Sequence, residues 1–233
     1  MSRQIKAIVT FSILDVRYAV QVFWAILIGF MLLGVGITMS FNNSLSFAGS
    51  GIAMYIFCAI TGFQTVKESF PFSIKMGGTR KNYFVSMCLF FTLLSLLMSL
   101  IHNVFLTAYE KFLDVLNLQI FTFHFSMITG LEDTWILRFF IDSVIAFFLL
   151  NLLFFVGIMF YRFGLIGGYS VIGIIVLFFF IPGVSTQVLD FIFGFASVEA
   201  VMHYIWLIVI SLLILVVNWA VMRKAPVYTA NIR

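Results

Sequence analysis

Residues 84–108 read FVSMCLFFTLLSLLMSLIHNVFLTA, 25 positions without an Asp, Glu, Lys or Arg. At about 1.5 Å per residue a helix of that length covers ~37 Å, more than the ~30 Å of hydrocarbon in a bilayer. Lipid offers a backbone no hydrogen-bond partner, so such a stretch must be a helix or part of a closed barrel, and it lacks the alternation of a barrel strand. Five more long apolar stretches, uncharged except for Arg138 and Asp142 in the third of them, run from about Ala19 to Ser40, Ala48 to Val66, Trp135 to Tyr161, Phe163 to Ile181 and His203 to Met222. The composition agrees: with 63% hydrophobic and 9% charged residues, the chain has more apolar surface than a soluble domain of its length can hide. The expected fold class is all-α, a single polytopic transmembrane domain over residues 1–233 with about six spans.

Orientation follows from the basic residues, because Lys and Arg in short loops stay on the cytoplasmic side. An even number of spans puts both termini on one face. That face carries Arg3, Lys6, Arg17, Lys67, Lys75, Arg80, Lys81, Arg162, Arg223, Lys224 and Arg233, with Asp15 and Glu68 as its only acids. The opposite face has Lys111 and Arg138 against seven acids, Glu110, Asp114, Glu132, Asp133, Asp142, Asp190 and Glu199. Both termini are therefore expected in the cytoplasm of a multi-pass protein of a bacterial cell membrane. The basic balance reflects this topology and the attraction of anionic headgroups, and a nucleic-acid partner is not expected. The N-terminal region mixes charged and apolar residues and has no small-residue cleavage site, so the mature chain is expected to begin near Met1.

Residues 1–17 place Ile5, Ile8, Val9, Ile13 and Val16 opposite Arg3, Lys6 and Arg17, the pattern of an amphipathic helix lying in the cytoplasmic interface. Between the second and third spans, residues 66–83 read VKESFPFSIKMGGTRKNY. Pro71 suits the first turn of a short helix, Glu68 and Ser69 can satisfy its amides, and Gly77-Gly78 suits its end, leaving Phe70, Phe72, Ile74 and Met76 exposed. The outer stretch 109–134 reads as two short interfacial helices. Residues 182–202 are too apolar for an ordinary loop and too short to cross twice, so a re-entrant pair of helices is expected there.

Catalytic chemistry is not indicated. There is no G-x-x-x-x-G-K-[ST] loop, so ATP is not hydrolysed by this chain, and no G-x-S-x-G nucleophile motif. His102, His124 and His203 are scattered without H-E-x-x-H, so no metal site or cofactor is expected, and Cys58 and Cys88 read as packing residues inside spans. Ser95, Ser99 and Asn103 fall at small-residue spacing on the third span, a helix-packing face. His102, Asn103, Asn151 and Asn218 are polar residues within spans and are the candidates for lining a pathway. Asp142 stands four residues after Arg138, which reads as an intrahelical ion pair near the headgroups, and Glu199 and His203 have the same spacing. Without a chain of carboxylates in the spans, an ion-driven pump is disfavoured.

Taken together, the N-terminal amphipathic segment, the cytoplasmic loop and the apolar connection before the last span resemble the permease subunit of a bacterial ABC exporter of the type-two class. In that family the loop holds a coupling helix followed by a Gly-x-[ST]-Arg-[Lys]-x-[Tyr/Phe]-[Phe] pattern, which Gly78, Thr79, Arg80, Lys81, Tyr83 and Phe84 match. The resemblance implies a separate ABC ATPase in two copies, carrying the ATP and Mg, and a second permease copy or paralogue. It assigns Glu68, Phe70, Phe72, Ile74, Lys75, Gly78, Thr79, Arg80 and Lys81 to ATPase coupling. The substrate it implies is hydrophobic or amphipathic, a peptide or antibiotic, with exporters of the phenol-soluble modulin type as the nearest model. The alternative is a membrane protein without a pump role, such as a toxin immunity factor or the substrate-capture subunit of an importer.

Overall fold

The computed structural model describes residues 3–41, 46–47, 49–118, 120–122, 124–127, 129, 132–195, 197 and 200–226. They fold almost entirely as helix: α1 (Arg3–Phe41), α2 (Ser50–Lys75), α3 (Arg80–Val115), α4 (Trp135–Phe179), α5 (Pro182–Gly194) and α6 (Ala200–Met222). Two short segments, β1 (Ser46–Phe47) and β2 (Phe121–Thr122), pair in parallel, and a 3-10 turn spans Phe125–Met127. Four helices, α1, α3, α4 and α6, are long and apolar enough to cross a membrane.

Helix α4 is two limbs, 135–163 and 165–179, meeting at Gly164, whose φ of 69° and ψ of −161° are closed to residues with a side chain. The chain doubles back there: a Cβ at Gly168 would lie 2.2 Å from the Phe160 ring, and Phe160 meets Tyr169 at 5.7 Å. This kink falls just past Tyr161, the end of the fourth expected stretch.

Lipid supplies no hydrophobic drive between helices, so close packing must hold the bundle together. At the crossing of α2 and α4, a Cβ at Gly62 would lie 2.4 Å from the Leu150 carbonyl oxygen and one at Gly157 would lie 2.7 Å from that of Phe63. Backbone therefore rests on backbone. Around this crossing Met54, Cys58, Met87, Phe91, Leu150 and Phe154 form the core, with Phe91 and Phe154 edge to face at 5.0 Å. Half of the most apolar window of α4 is buried against 28% for α1 and 22% for α6, so α2, α3 and α4 form the centre and α1 and α6 flank it.

Several expectations need correcting. The interfacial segment and the first span are one helix, α1, because no residue between Arg17 and Ala19 breaks the helical pattern. At 39 residues it is ~58 Å long, so its charged N-terminal turns extend beyond the apolar stretch. The coupling segment is likewise not a separate helix but the end of α2, with Pro71 inside it. A proline there removes one donor, which leaves only the Lys67 carbonyl without its usual bond. Helix α3 continues to Val115, so the first of the two expected outer helices is its final turns. Only α5 forms ahead of α6; of the region for a second re-entrant helix, Ala196, Val198 and Glu199 lie outside the described residues, and Ala200–Met202 already belong to α6.

Candidate functional site

Two constellations stand out, one at the turn between α2 and α3 and one buried between helices. At the turn, α2 ends on Met76 and Gly77, whose φ is +84°. Gly77 N–H donates to the Ile74 carbonyl and Gly78 N–H to that of Ser73 at 2.9 Å, which closes the helix as the paired glycines indicated. Thr79 then caps α3, its hydroxyl accepting from the Asn82 N–H at 3.2 Å.

The turn is fastened on several sides. Phe72 stacks on Phe11 of α1 at 4.6 Å, Asn82 Nδ2 donates to Gln4 Oε1 at 2.5 Å, and Arg80 Nη1 donates to the Arg223 carbonyl just past α6 at 2.9 Å. Phe70, expected to be exposed, is 1% exposed: it packs edge to face on Tyr83 of α3 and Tyr161 of α4, because helical continuation from α2 turns it inward. Tyr83 donates its hydroxyl to the Thr65 carbonyl at 3.2 Å. Phe72 and Met76 remain exposed, as do Lys75, Thr79, Arg80 and Lys81, while Ile74 is half-buried. Phe72 and Met76, with Gln4, Ile8 and Phe11, line a shallow apolar pocket on this surface. Glu68 faces elsewhere, into a cleft between α1 and α2.

The buried constellation centres on Asp142 of α4. The side chain does not pair with Arg138, whose guanidinium instead bonds Glu110 at 3.0 Å and Asp133. Asp142 accepts from Tyr55 of α2 at 2.5 Å and from Asn103 of α3 at 3.1 Å, and lies 2.7 Å from His102 Nδ1. His102 Nε2 in turn meets Ser50 Oγ, at the start of α2, at 3.2 Å. The network assigns the tautomer: Nδ1 carries the proton that the carboxylate accepts, and Nε2 accepts from Ser50. Ser99 Oγ adds a bond to the Phe139 carbonyl at 2.8 Å, tying α3 to α4 one turn away.

Ser50, His102 and Asp142 thus have the connectivity of a nucleophile, base and orienting carboxylate. Ser50, however, is 2% exposed with its hydroxyl against His102, so in this conformation it presents no face to a substrate. What the cluster does is clasp α2, α3 and α4 through polar contacts that lipid cannot replace. Sequence spacing missed it, because residues 50, 55, 102, 103 and 142 come from three helices. The available signal was Asp142 itself, a carboxylate within an apolar stretch.

The other two pathway candidates also meet inside the bundle. Asn151 of α4 and Asn218 of α6 are both fully buried, and Asn218 Nδ2 donates to the Asn151 carbonyl at 3.2 Å. Of the spaced pair Glu199 and His203, the first lies outside the described residues and the second packs by Phe191 and Phe195. Among the described residues no group of three or more His, Cys, Asp and Glu could hold a metal ion. Just ahead of α4 the Arg138 guanidinium, joined by Ser126 and His124 at 2.6 and 2.9 Å, holds the Asp133 carboxyl well below the usual carboxylate range.

No protein-family model, curated protein or solved structure matches this chain.

Proposed function

We propose that this chain is the membrane-spanning subunit of an ATP-driven exporter, forming half of a pathway for a hydrophobic or amphipathic substrate in a bacterial plasma membrane. In this reading α2 and the second limb of α4 complete six crossings with both ends cytoplasmic, in keeping with the distribution of basic residues. A separate ABC ATPase, in two copies and carrying ATP and Mg, docks on the α2–α3 turn, and a second permease copy or paralogue closes the pathway.

The observation that carries the reading is the fastening of one exposed turn to the ends of the surrounding helices. Phe72 holds α1, Thr79 caps α3, Arg80 holds the end of α6, and Phe70 is lodged against α3 and α4. A push on the exposed Phe72 and Met76 therefore moves these helices together. Coupling work divides accordingly: Phe72 and Met76 with Lys75 and Lys81 face the ATPase, whereas Phe70, Gly78 and Arg80 transmit the movement inward.

The test is affinity purification of the tagged chain from its native membrane in mild detergent. A stoichiometric ATPase is expected with the native chain and is lost in Phe72→Asp and Met76→Asp, with membrane yield unchanged. Absence of an ATPase from the native chain favours a membrane protein without a pump role.

A further inference from the structure

Along their shared seam α1 and α2 leave two openings one above the other. The inner one, about 170 Å³, is lined by Ser12 and Asp15 of α1, by Thr61, Gln64 and Glu68 of α2, and by Phe90 of α3 as its floor. The outer one, about 290 Å³, is almost wholly apolar, lined by Phe23, Leu27 and Phe30 of α1 and by Gly49 and Ala53 at the start of α2. Phe23 of the outer opening and Phe57 of the inner one touch at 4.8 Å and form the partition between them.

Helix geometry fixes the separation. Along α1 the centres of the two linings are about eleven residues apart and along α2 about twelve, which is ~16–18 Å by either helix. Charge singles out the inner opening. The cytoplasmic side of the chain carries 11 basic residues and only two acids, Asp15 and Glu68. These two acids, 53 positions apart in sequence, both line this one opening, and no Lys or Arg is among its lining residues. Arg17 is two positions from Asp15, roughly 200° around the helix, and so points away.

We propose that this seam binds a single-chain cationic amphiphile, its ammonium group between Asp15 and Glu68 and its alkyl chain passing the Phe23–Phe57 partition into the outer opening. Two carboxylates at headgroup depth select a cation, and a dry pocket ~16 Å further out selects an aliphatic tail. As the loading site for transport the proposal rests on the exporter reading; as a binding site it does not. Within that reading it makes the route lateral, from the inner leaflet between α1 and α2.

The full-length chain is reconstituted in phosphatidylcholine nanodiscs without ATPase or nucleotide, and binding of radiolabelled tetradecyltrimethylammonium is compared with that of tetradecyl sulfate, with empty nanodiscs subtracted. The native chain is expected to bind the cation at least tenfold more tightly. D15N and E68Q, both on exposed side chains, each erode that preference, the double variant reduces it to within about twofold, and A53F weakens binding of the cation by blocking the tail. Equal binding of both probes by the native chain overturns the proposal without any variant. So does a preference unchanged in the double variant, or a change of oligomeric state alone, which would make the seam a contact between two copies. Charge-selective binding without a copurifying ATPase leaves the site standing and removes the exporter, and the converse result removes the site alone.

Discussion

Replacing Asp142 with Asn keeps the shape of the buried cluster and reverses its hydrogen-bond logic. The carboxylate receives Tyr55 Oη–H, Asn103 Nδ2–H and His102 Nδ1–H, three donors converging on two oxygens. An asparagine offers one oxygen and turns an NH2 toward at least one of those donors, so one or two bonds are lost. Bonds between membrane helices contribute about 0.6 kcal/mol on average and at most ~1.7, whereas a buried donor left without a partner costs about 1–3 kcal/mol. Asp142→Asn should therefore cost roughly 2–3 kcal/mol, and Tyr55→Phe about 1–3, since it leaves the buried Asp142 Oδ1 without its donor. The assay is reversible unfolding in mixed micelles by SDS titration, run as a double-mutant cycle on Tyr55→Phe and Asp142→Asn. A coupling of about 1 kcal/mol or more is expected. Additive effects within ~0.3 kcal/mol, or an unaltered midpoint in Asp142→Asn, would refute the claim that this cluster clasps α2 to α3 and α4.

Two other predictions follow from particular contacts. Because the folded-state pKa of Asp133 is depressed, the stabilisation it gives the clasp with Arg138, Ser126 and His124 is present above its ordinary value of about 3.8 and is lost only as pH falls through the lower folded value. Limited proteolysis of the 116–134 connection should accordingly stay slow at pH 4 in the native chain and be faster in Asp133→Asn at neutral pH; equal rates would contradict this. Gly62→Val drives a side chain into the Leu150 carbonyl oxygen and should cost at least ~1–3 kcal/mol, seen as loss of the monodisperse peak in detergent, whereas Gly29→Ala, where an added Cβ meets nothing within 4 Å, should elute as the native chain does.

The helices were legible because lipid imposes a simple rule on uncharged stretches, and the end of α2 was legible because Gly77 and Gly78 terminate a helix by local geometry alone. Partners across helices were not. Arg138 and Asp142 have i,i+4 spacing, yet Arg138 turns to Glu110 and Asp133 while Asp142 turns inward to Tyr55, His102 and Asn103. Spacing gives the neighbours on one helix, and the choice among them is made by the helices packed alongside. Phe70 illustrates the same limit: its exposure was read from a separate helix starting at Pro71, and once α2 runs through the proline the helical phase points it at Tyr83 and Tyr161.

The central claim is that a separate ATPase rests on the turn that ends α2, and cross-linking from that turn tests it most directly. In a background with Cys58 and Cys88 changed to Ser, Met76→Cys and, at the far end of α3, Val115→Cys each place one thiol at a residue that is 74% and 79% exposed respectively. Treated with a short bifunctional maleimide in native membranes, Met76→Cys is expected to form an adduct with an ATPase subunit and Val115→Cys none, because the proposed topology puts the latter on the opposite face. No ATPase adduct from Met76→Cys, or the same adduct from both positions, would contradict the account.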